Sequence, residues 1–240
     1  MTIEFAAHVW IDGSDNPYPG GAPEYERQVG AMLGAVRATA TGRTLLSFFA
    51  LRRHNVWIIP PGGNQSRVEA DAGAVDPVAA FRRNFDLRSA LDGRVDPRRR
   101  LGAGTGSDSL LRFHPIHWNY PPGRFDTPEE VLVHELFHAM RQTFGALRNT
   151  PLDGDFDTVE ELYSIFVQNM YANERNLPLR ATHHRASSNV SPDHSIAHNP
   201  RFRAPMRDLA AMMPTIVNEL ANVRTPYNPF RDWKEFSRQG

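Results

Sequence analysis

The stretch TPEEVLVHELFHAMRQTFG, residues 127–145, decides the fold of this chain. Thr127 stands at the N-cap position, Pro128 at the first helical position and Glu130 at the third, which is a capping box with a proline start. The glycine at the end of the stretch favours a stop, because glycine adopts the left-handed conformation that closes many helices. The pattern therefore predicts a helix that runs to Phe144.

This helix contains the pentapeptide HELFH, residues His134–His138, which matches the pattern H-E-x-x-H. Since four residues make just over one helical turn, the two imidazoles leave the same face about 6 Å apart. That spacing lets both bind one zinc ion at about 2.0–2.1 Å. Glu135 lies beside them, where a carboxylate can take a proton from a metal-bound water. The motif predicts His134 and His138 as zinc ligands and Glu135 as general base.

The residues around the motif are apolar on nearly every side of the helix, which indicates a buried helix. Buried imidazole and carboxylate groups need partners, because an unpaired buried polar group is costly. A metal ion is one such partner. The alternative is a pair of hydrogen-bonded core histidines with a salt-bridged glutamate, and the sequence leaves it open.

A catalytic zinc site needs a third protein ligand as well as an open position for water. Cysteine is absent, and the segment after His138 carries no further histidine, which excludes a metzincin. The remaining candidates are Glu160 and Glu161, on the next predicted helix, which would complete a His₂Glu (gluzincin) set. We favour Glu161, with Glu160 as the second choice. Thr158 and Asp157 each stand three residues before one of these glutamates, so we expect the other glutamate to cap the helix.

A peptidase also needs a donor that stabilises the oxyanion formed on the scissile carbonyl. Three residues on or after the predicted helix that carries Glu160 and Glu161 are candidates for this role or for substrate contacts: Tyr171, Arg180 and His183. The sequence does not choose among them.

The remaining patterns predict a single α+β domain over residues 1–240: a small twisted sheet, the motif helix beneath it and a following helix that carries the glutamate ligand. Gly42 is expected to end the first helix, and residues 1–22 and 224–240 are expected to be irregular. Residues 64–106 are expected to form a long loop with one short helix. Predicted helices cover residues 24–40, 44–51, 78–91, 158–176 and 207–223, and predicted strands cover 55–59 and 109–113.

Composition excludes several classes of protein. The 240 residues suffice for one domain with a proper core, and with 27 basic and 27 acidic residues the formal net charge is zero. No global field attracts the chain to nucleic acid or to an anionic membrane. The absence of cysteine excludes disulfides and thiolate sites. No apolar run approaches the about 18–20 residues that cross a bilayer. The N-terminus does not match a secretory signal. We expect a monomer that is synthesised in a reducing cytosol. Export by a non-classical route is compatible with the sequence.

Several segments, taken in order, resemble the NleD-type effector zinc metallopeptidases, which bacteria deliver into host cells by type III secretion. The resemblance implies an endopeptidase with a zincin-like fold and one zinc ion, acting in the host cytosol on selected signalling proteins. Some members of the family act on stress-activated kinases, but the resemblance does not imply that substrate for this chain. It is weakest over residues 64–106 and 183–198, which leaves the substrate open. The matching segments are Thr41–Leu46, the HELFH helix, Glu160–Tyr171, Asn173–Arg180 and Tyr227–Arg231.

Three other functions remain compatible with the sequence. An interbacterial toxin would use the same chemistry on bacterial proteins. A non-catalytic zinc module would fill all four ligand positions, with His183 or His184 as the fourth. A nucleic-acid binder would use the arginines of residues 82–100, although the interleaved aspartates and the zero net charge favour a solvated face there.

Overall fold

The computed structural model describes residues 2–15, 17–62, 70–87, 101–115, 127–152, 156–183 and 199–239. Within these ranges the protein is a mixed α+β fold with five strands and eight α-helices, so the predicted class is confirmed. None of the described helices is both long and apolar enough to span a membrane. The strands are β1 Ile3–Ala6, β2 Val9–Ile11, β3 Val56–Ile59, β4 Asp71–Ala74 and β5 Ser109–Arg112. The helices are α1 Gly21–Ala38, α2 Ala40–Phe49, α3 Pro77–Ala80, α4 Pro128–Thr143, α5 Val159–Glu174, α6 Arg203–Met212, α7 Pro214–Ala221 and α8 Pro229–Ser237.

The strands form one sheet in the order β1-β2-β3-β5-β4. The three central strands run parallel, whereas β1 and β4 pair antiparallel at the two edges. Val56 and Ile58 are fully buried and Trp57 between them is half-buried, as expected where side chains alternate between two faces. α1 and α4 pack against the sheet. The predicted strands at 55–59 and 109–113 are confirmed as β3 and β5.

α4 begins with the predicted capping box. The Thr127 N–H donates to Glu130 Oε2 (2.7 Å), and the Glu130 N–H donates to Thr127 Oγ1 (3.3 Å). Gly145 follows the helix with a φ of 63°, the left-handed conformation that favours glycine. Nearly all of α4 is buried between the sheet and α5. Local signals therefore place this helix correctly, with a C-terminus one residue shorter than predicted.

α5 starts at the N-cap Thr158, whose hydroxyl accepts the N–H of Glu161 (3.4 Å). At its other end, the Glu174 carboxylate accepts the N–H groups of Ala40 and Thr41, both at 2.7 Å. These two bonds satisfy donors at the N-terminus of α2, which have no partner within that helix. The C-terminal end of α5 is thereby fixed to the α1–α2 pair.

Gly42 does not end a helix, contrary to the sequence prediction. The chain turns at Thr39, which caps α2 by accepting the Gly42 N–H (3.0 Å). A Cβ atom on Gly42 would lie 1.9 Å from the carbonyl oxygen of Val36. Glycine is therefore needed at this position for a close approach of α2 to the end of α1, not for a stop.

Both termini contain regular structure, so the expectation of irregular ends is wrong. β1 and β2 lie within residues 1–22, where β2 is held by parallel pairing with β3, a contact that no local pattern reveals. α8 lies within residues 224–240. Its N-cap Asn228 accepts the N–H groups of Phe230 (3.1 Å) and Arg231 (3.0 Å), and Pro229 occupies the first helical position.

Three further boundaries differ from prediction. The last predicted helix is split into α6 and α7 at Met213, because Pro214 lacks an N–H and disfavours the helical conformation in the residue before it. Of the helix predicted at 78–91 only α3 forms, and residues 88–91 lie outside the described ranges. β4 falls within the expected long loop, where its small residues give a weak strand signal.

Candidate metal centre

Three side chains converge where α4 faces α5. The Nε2 atoms of His134 and His138 lie 3.1 Å apart, and they lie 3.0 Å and 3.4 Å respectively from Oε2 of Glu161. Three atoms bound tetrahedrally at about 2.0–2.1 Å from one zinc ion lie about 3.3 Å from one another. The observed triangle therefore has the dimensions and the donor set of a site for a single zinc ion.

Glu160, the second-choice ligand, points elsewhere, because one residue along a helix is a rotation of about 100°. Its carboxylate accepts two bonds from Arg141, from Nε at 2.7 Å and from Nη2 at 2.6 Å, and the N–H of Arg148 at 2.7 Å. Nor does Glu160 cap the helix, since the capping acceptor is Thr158. The expectation that the glutamate outside the metal centre caps α5 is wrong: the Arg141 guanidinium binds it instead.

The second ring nitrogen of each histidine faces α5. His134 Nδ1 lies 3.1 Å from Gln168 Oε1, and His138 Nδ1 lies 3.3 Å from Ser164 Oγ. Glu161, Ser164 and Gln168 are spaced i, i+3 and i+7, which places them on one face of the helix. The sequence analysis missed the roles of Ser164 and Gln168, although this spacing was a signal from which both contacts could be inferred. Such contacts orient metal-binding imidazoles.

Glu135 lies beside the two histidines and contacts the edge strand. Its Oε2 accepts the N–H of Ala72 in β4 (3.1 Å), while Gln142 Nε2 donates to the carbonyl of Ala72 (2.5 Å). Both polar backbone groups of Ala72 are thus bound by α4 side chains. Burial raises the pKa of Glu135 to about 8, the neighbouring His138 opposing this shift and Glu161 adding to it.

The charges of the three converging groups are coupled. Burial lowers the pKa of His134 to about 4. Burial also disfavours charge on His138, but the attraction and hydrogen bond of Glu161 outweigh it and raise the pKa of His138 to about 9. Burial favours a neutral Glu161, yet the facing imidazoles, His138 first, hold the pKa of this carboxyl far below its usual range. Glu161 is therefore ionised and stabilises positive charge at this point.

His183 also reaches the centre. Its Nε2 lies 3.1 Å from Glu161 Oε2, and its Nδ1 lies 2.7 Å from Asp157 Oδ2. Its ring is nearly parallel to that of His134, with centroids 6.1 Å apart. Asp157 was not among the sequence candidates for this contact, and no local pattern pairs it with a residue 26 positions later. His184, the neighbouring candidate, lies outside the described residues.

The other two candidate contacts differ in position. Arg180 lines the same cavity as the histidines, but its guanidinium donates to the carbonyl of Thr182 (3.1 Å) and to Gln168 Oε1 (3.3 Å). Tyr171 is 1% exposed, and burial raises its pKa to about 12. It lies ten residues after Glu161, about 15 Å further along α5. The structure therefore does not bring Tyr171 to the metal centre.

A cavity of about 600 Å³ opens onto the centre. Its described walls come from residues 70–81, which include β4 and α3, from α4, from residues 147–149, from α5 and from residues 180–183. The side chains of His134, Glu135, His138 and Glu161 all line it. The candidate ligands and general base therefore share one accessible space.

The peptidase M91 family model, described as "Effector protein", matches residues 14–176, which include α4 and α5. The chain belongs to this family. Membership in the M91 family confirms the expected relation to effector peptidases. No curated protein matches the chain significantly in sequence.

Two solved structures of Clostridium botulinum neurotoxin serotype F are similar to this M91 member. The catalytic domain has a TM-score of 0.48 and 15% identity, with 99% of this chain and 67% of that chain covered. The light chain has a TM-score of 0.49 and 14% identity, with 99% and 68% covered. Both scores lie below 0.5.

Proposed function

We propose that this protein is a zinc-dependent endopeptidase with a zincin-like fold, in which His134, His138 and Glu161 bind one zinc ion. The observation that carries the proposal is the triangle of 3.0–3.4 Å formed by Nε2, Nε2 and Oε2 in a member of a peptidase family. Two imidazoles and one carboxylate are the ligand set of many catalytic zinc sites. When bound, zinc lowers the pKa of a water molecule to about 7 and polarises a carbonyl group.

Glu135 is the general base of this proposal. Its carboxylate takes the proton of the attacking water and then gives it to the leaving amine nitrogen. Burial raises the pKa of Glu135, which strengthens its carboxylate as a proton acceptor. The Ala72 N–H holds one oxygen of the carboxylate, which fixes the orientation of the group.

His183 is the oxyanion donor that the geometry favours among the three sequence candidates. Its Nδ1 contacts Asp157, which fixes the orientation of the ring, and its Nε2 is directed at the centre, where it can face the oxyanion. The Arg180 guanidinium already donates to Thr182 and Gln168, and Tyr171 is buried elsewhere.

The substrate of this proposal is a protein, and the effector family supports a secreted bacterial protein that acts in a host. Host signalling proteins are the substrate class that the sequence resemblance implies, and kinases, the targets of some family members, are the candidates within it. In this proposal the protein is a monomer. It is synthesised in the bacterial cytoplasm, is exported by a non-classical route and acts in the host cytosol.

The test is incubation of the protein with a eukaryotic lysate, followed by labelling of new N-termini. Wild type is expected to create termini that Glu135→Ala does not, and a zinc chelator should remove them. Glu129→Ala is the matched control, since it removes a carboxylate from the same helix away from the centre, and it should cut like wild type. Cleavage by Glu135→Ala at the wild-type rate would disprove the mechanism. A parallel bacterial lysate identifies an interbacterial peptidase if termini appear only there.

A closed zinc site is the second candidate function, because His183 Nε2 lies as near to Glu161 as the other two imidazoles do. In that case His183 is the fourth ligand, and the protein binds zinc without catalysis. His183→Ala would then weaken zinc binding strongly, and neither lysate would show cleavage. For the endopeptidase, the same variant should keep zinc and lose rate by about 10²–10³-fold, as removal of an oxyanion donor does.

A further inference from the structure

Gln168 lies on α5 behind the candidate ligand His134 and is fully buried. Its Oε1 is shared by two groups: His134 Nδ1 at 3.1 Å and Arg180 Nη1 at 3.3 Å. The position of one amide oxygen thus connects a ligand imidazole to a guanidinium.

The chemistry of arginine decides the orientation of this amide. The oxygen and nitrogen of a glutamine side chain have nearly the same shape, so their partners must distinguish them. Arginine only donates hydrogen bonds, so the amide atom that faces Arg180 is the oxygen. His134 Nδ1 contacts that same oxygen and therefore carries a hydrogen. The remaining nitrogen, Nε2, then has the lone pair that a metal needs.

The amide nitrogen of Gln168, which has no hydrogen-bond partner within the described ranges, also supports this orientation. Among the described residues, Gln168 Nε2 is buried and has no hydrogen-bond partner. Unpaired buried donors are rare in native proteins and call for a specific reason. The contacts of Oε1 supply that reason, because in a reversed amide the NH₂ group of Gln168 would face the guanidinium of Arg180 and neither could accept a hydrogen bond.

Arg180 is itself held in place by α5. Its N–H donates to Asn169 Oδ1 (2.7 Å), Asn169 Nδ2 donates to the Arg180 carbonyl (2.8 Å), and Arg180 Nε donates to Thr182 O (3.1 Å). Neighbouring residues of one helix therefore fix both the backbone of Arg180 and the amide that its guanidinium contacts.

We propose that Arg180 and Gln168 are positioning residues that hold His134 in its Nδ1–H tautomer, with Nε2 directed at the metal. The proposal rests on the proposed function only in taking His134 Nε2 as a metal ligand. Arg180 thus acts behind the ligand and does not contact substrate. His138 has no such device, because the Ser164 hydroxyl that faces its Nδ1 both donates and accepts.

The test is zinc affinity, measured by competition with a chromophoric chelator on the full chain. Gln168→Leu removes the acceptor at similar size and should weaken zinc binding about 10–100-fold, as loss of such an outer partner does. Gln168→Glu keeps an acceptor for both donors and should retain wild-type affinity. The matched control is Tyr163→Phe, which removes a buried hydrogen bond from the same helix as Gln168, the bond from Tyr163 to the carbonyl of Pro205 on α6. This variant should bind zinc like wild type.

A double-mutant comparison tests the order of action. Arg180→Leu should weaken zinc binding less than Gln168→Leu, because the released amide can still accept from His134 part of the time. Adding Arg180→Leu to Gln168→Leu should cause no further loss, since Arg180 acts through the amide. A full additional loss in the double variant would overturn the proposal. So would an Arg180→Leu variant with wild-type zinc affinity and a raised KM, the result expected of a substrate contact.

Two further results separate this proposal from the proposed function. If wild type binds no zinc, or His134→Ala binds it as tightly, the proposed function fails. If those proteins behave as expected and Gln168→Leu matches wild type, only the positioning role is overturned. If Gln168→Leu fails to fold, ¹⁵N NMR of the histidine ring nitrogens in the wild-type protein shows which nitrogen of His134 carries the hydrogen. A hydrogen on Nδ1 supports the proposal, and a hydrogen on Nε2 alone overturns it.

Discussion

Two neighbouring glutamates of α5 lie in opposite chemical environments. Glu160 faces the guanidinium of Arg141, and Glu161 faces the imidazoles of His134 and His138. Arginine keeps its protons at every relevant pH, so the first pair is closed to other cations. An imidazole can give up a proton and then offers a lone pair, so the second group can take up a metal ion. The comparison teaches that the partner, rather than burial, decides which glutamate is available to a metal ion.

The two regions also depend on each other. The Arg141 guanidinium is completely buried and binds both oxygens of Glu160, the carbonyl of Ala146 (2.5 Å) and Sδ of Met213 (3.0 Å). This contact holds the first turn of α5 against α4. Glu161, the next residue, is thereby placed between the two imidazoles. One glutamate fixes the position and the other supplies the candidate ligand.

The largest effect is expected from Glu161→Ala, which removes the carboxylate that faces the imidazoles of His134 and His138. Zinc affinity should fall by more than about 100-fold, the upper figure for loss of an outer partner alone, and cleavage should fall to background. Metal analysis after dialysis, together with the lysate assay, measures both. Full zinc occupancy in this variant would remove Glu161 from the ligand set.

Arg141→Leu removes the ion pair of the other glutamate, Glu160. It should lower the free energy of unfolding by about 3–5 kcal/mol, because it leaves the Glu160 carboxylate buried without its cation. Urea unfolding of the metal-free protein measures this change. A loss below about 1 kcal/mol, the range of an exposed ion pair, would show that the pair is solvated in solution.

Replacing both partners, Arg141→Leu with Glu160→Leu, should restore most of that stability, to within about 2 kcal/mol of wild type. Apolar side chains replace a buried ion pair at little net cost, although the Ala146 carbonyl and the Arg148 N–H lose their partners. The folded double variant should still bind one zinc ion. Loss of zinc from a stable double variant would bring Glu160 back as a ligand.

The smallest effect is expected from Thr158→Ala, which removes the N-cap before both glutamates. The free energy of unfolding should fall by about 1 kcal/mol, and Thr158→Ser should keep the cap. Zinc affinity of the folded protein should stay near that of wild type, because the Arg141 contact still holds the helix. A tenfold loss in affinity would show that the cap, and not Arg141, positions Glu161.

Local sequence signals predicted what is local in the structure. The capping box at Thr127 and the four-residue spacing of His134 and His138 determine α4 and its histidine face without distant contacts. The choice of Glu161 over Glu160 agrees with the geometry, but the reason for it, the Arg141 side chain, is a contact between helices. β4, with its sequence DAGA, has no strong strand pattern and forms by pairing with β5.

Contacts distant in sequence account for the rest. Asp157 meets His183 and Glu174 meets Thr41 only once the chain has folded, and no periodicity connects such pairs. Gln168 is an intermediate case. Its spacing from Glu161 was available in the sequence, but the meaning of its amide depends on Arg180, which lies on a different segment.

The contacts of Arg141 also set the minimum length of a working fragment. The family match ends at residue 176, yet Met213 contacts the Arg141 guanidinium and Asp208 forms an ion pair with Arg148. Pro205 accepts the hydroxyl of Tyr163 on α5 (2.6 Å). A protein truncated at the family boundary would expose the back of α5, the helix that carries the candidate ligand Glu161. An expressed fragment therefore has to extend through α6 to Met213 to retain the packing behind the metal centre.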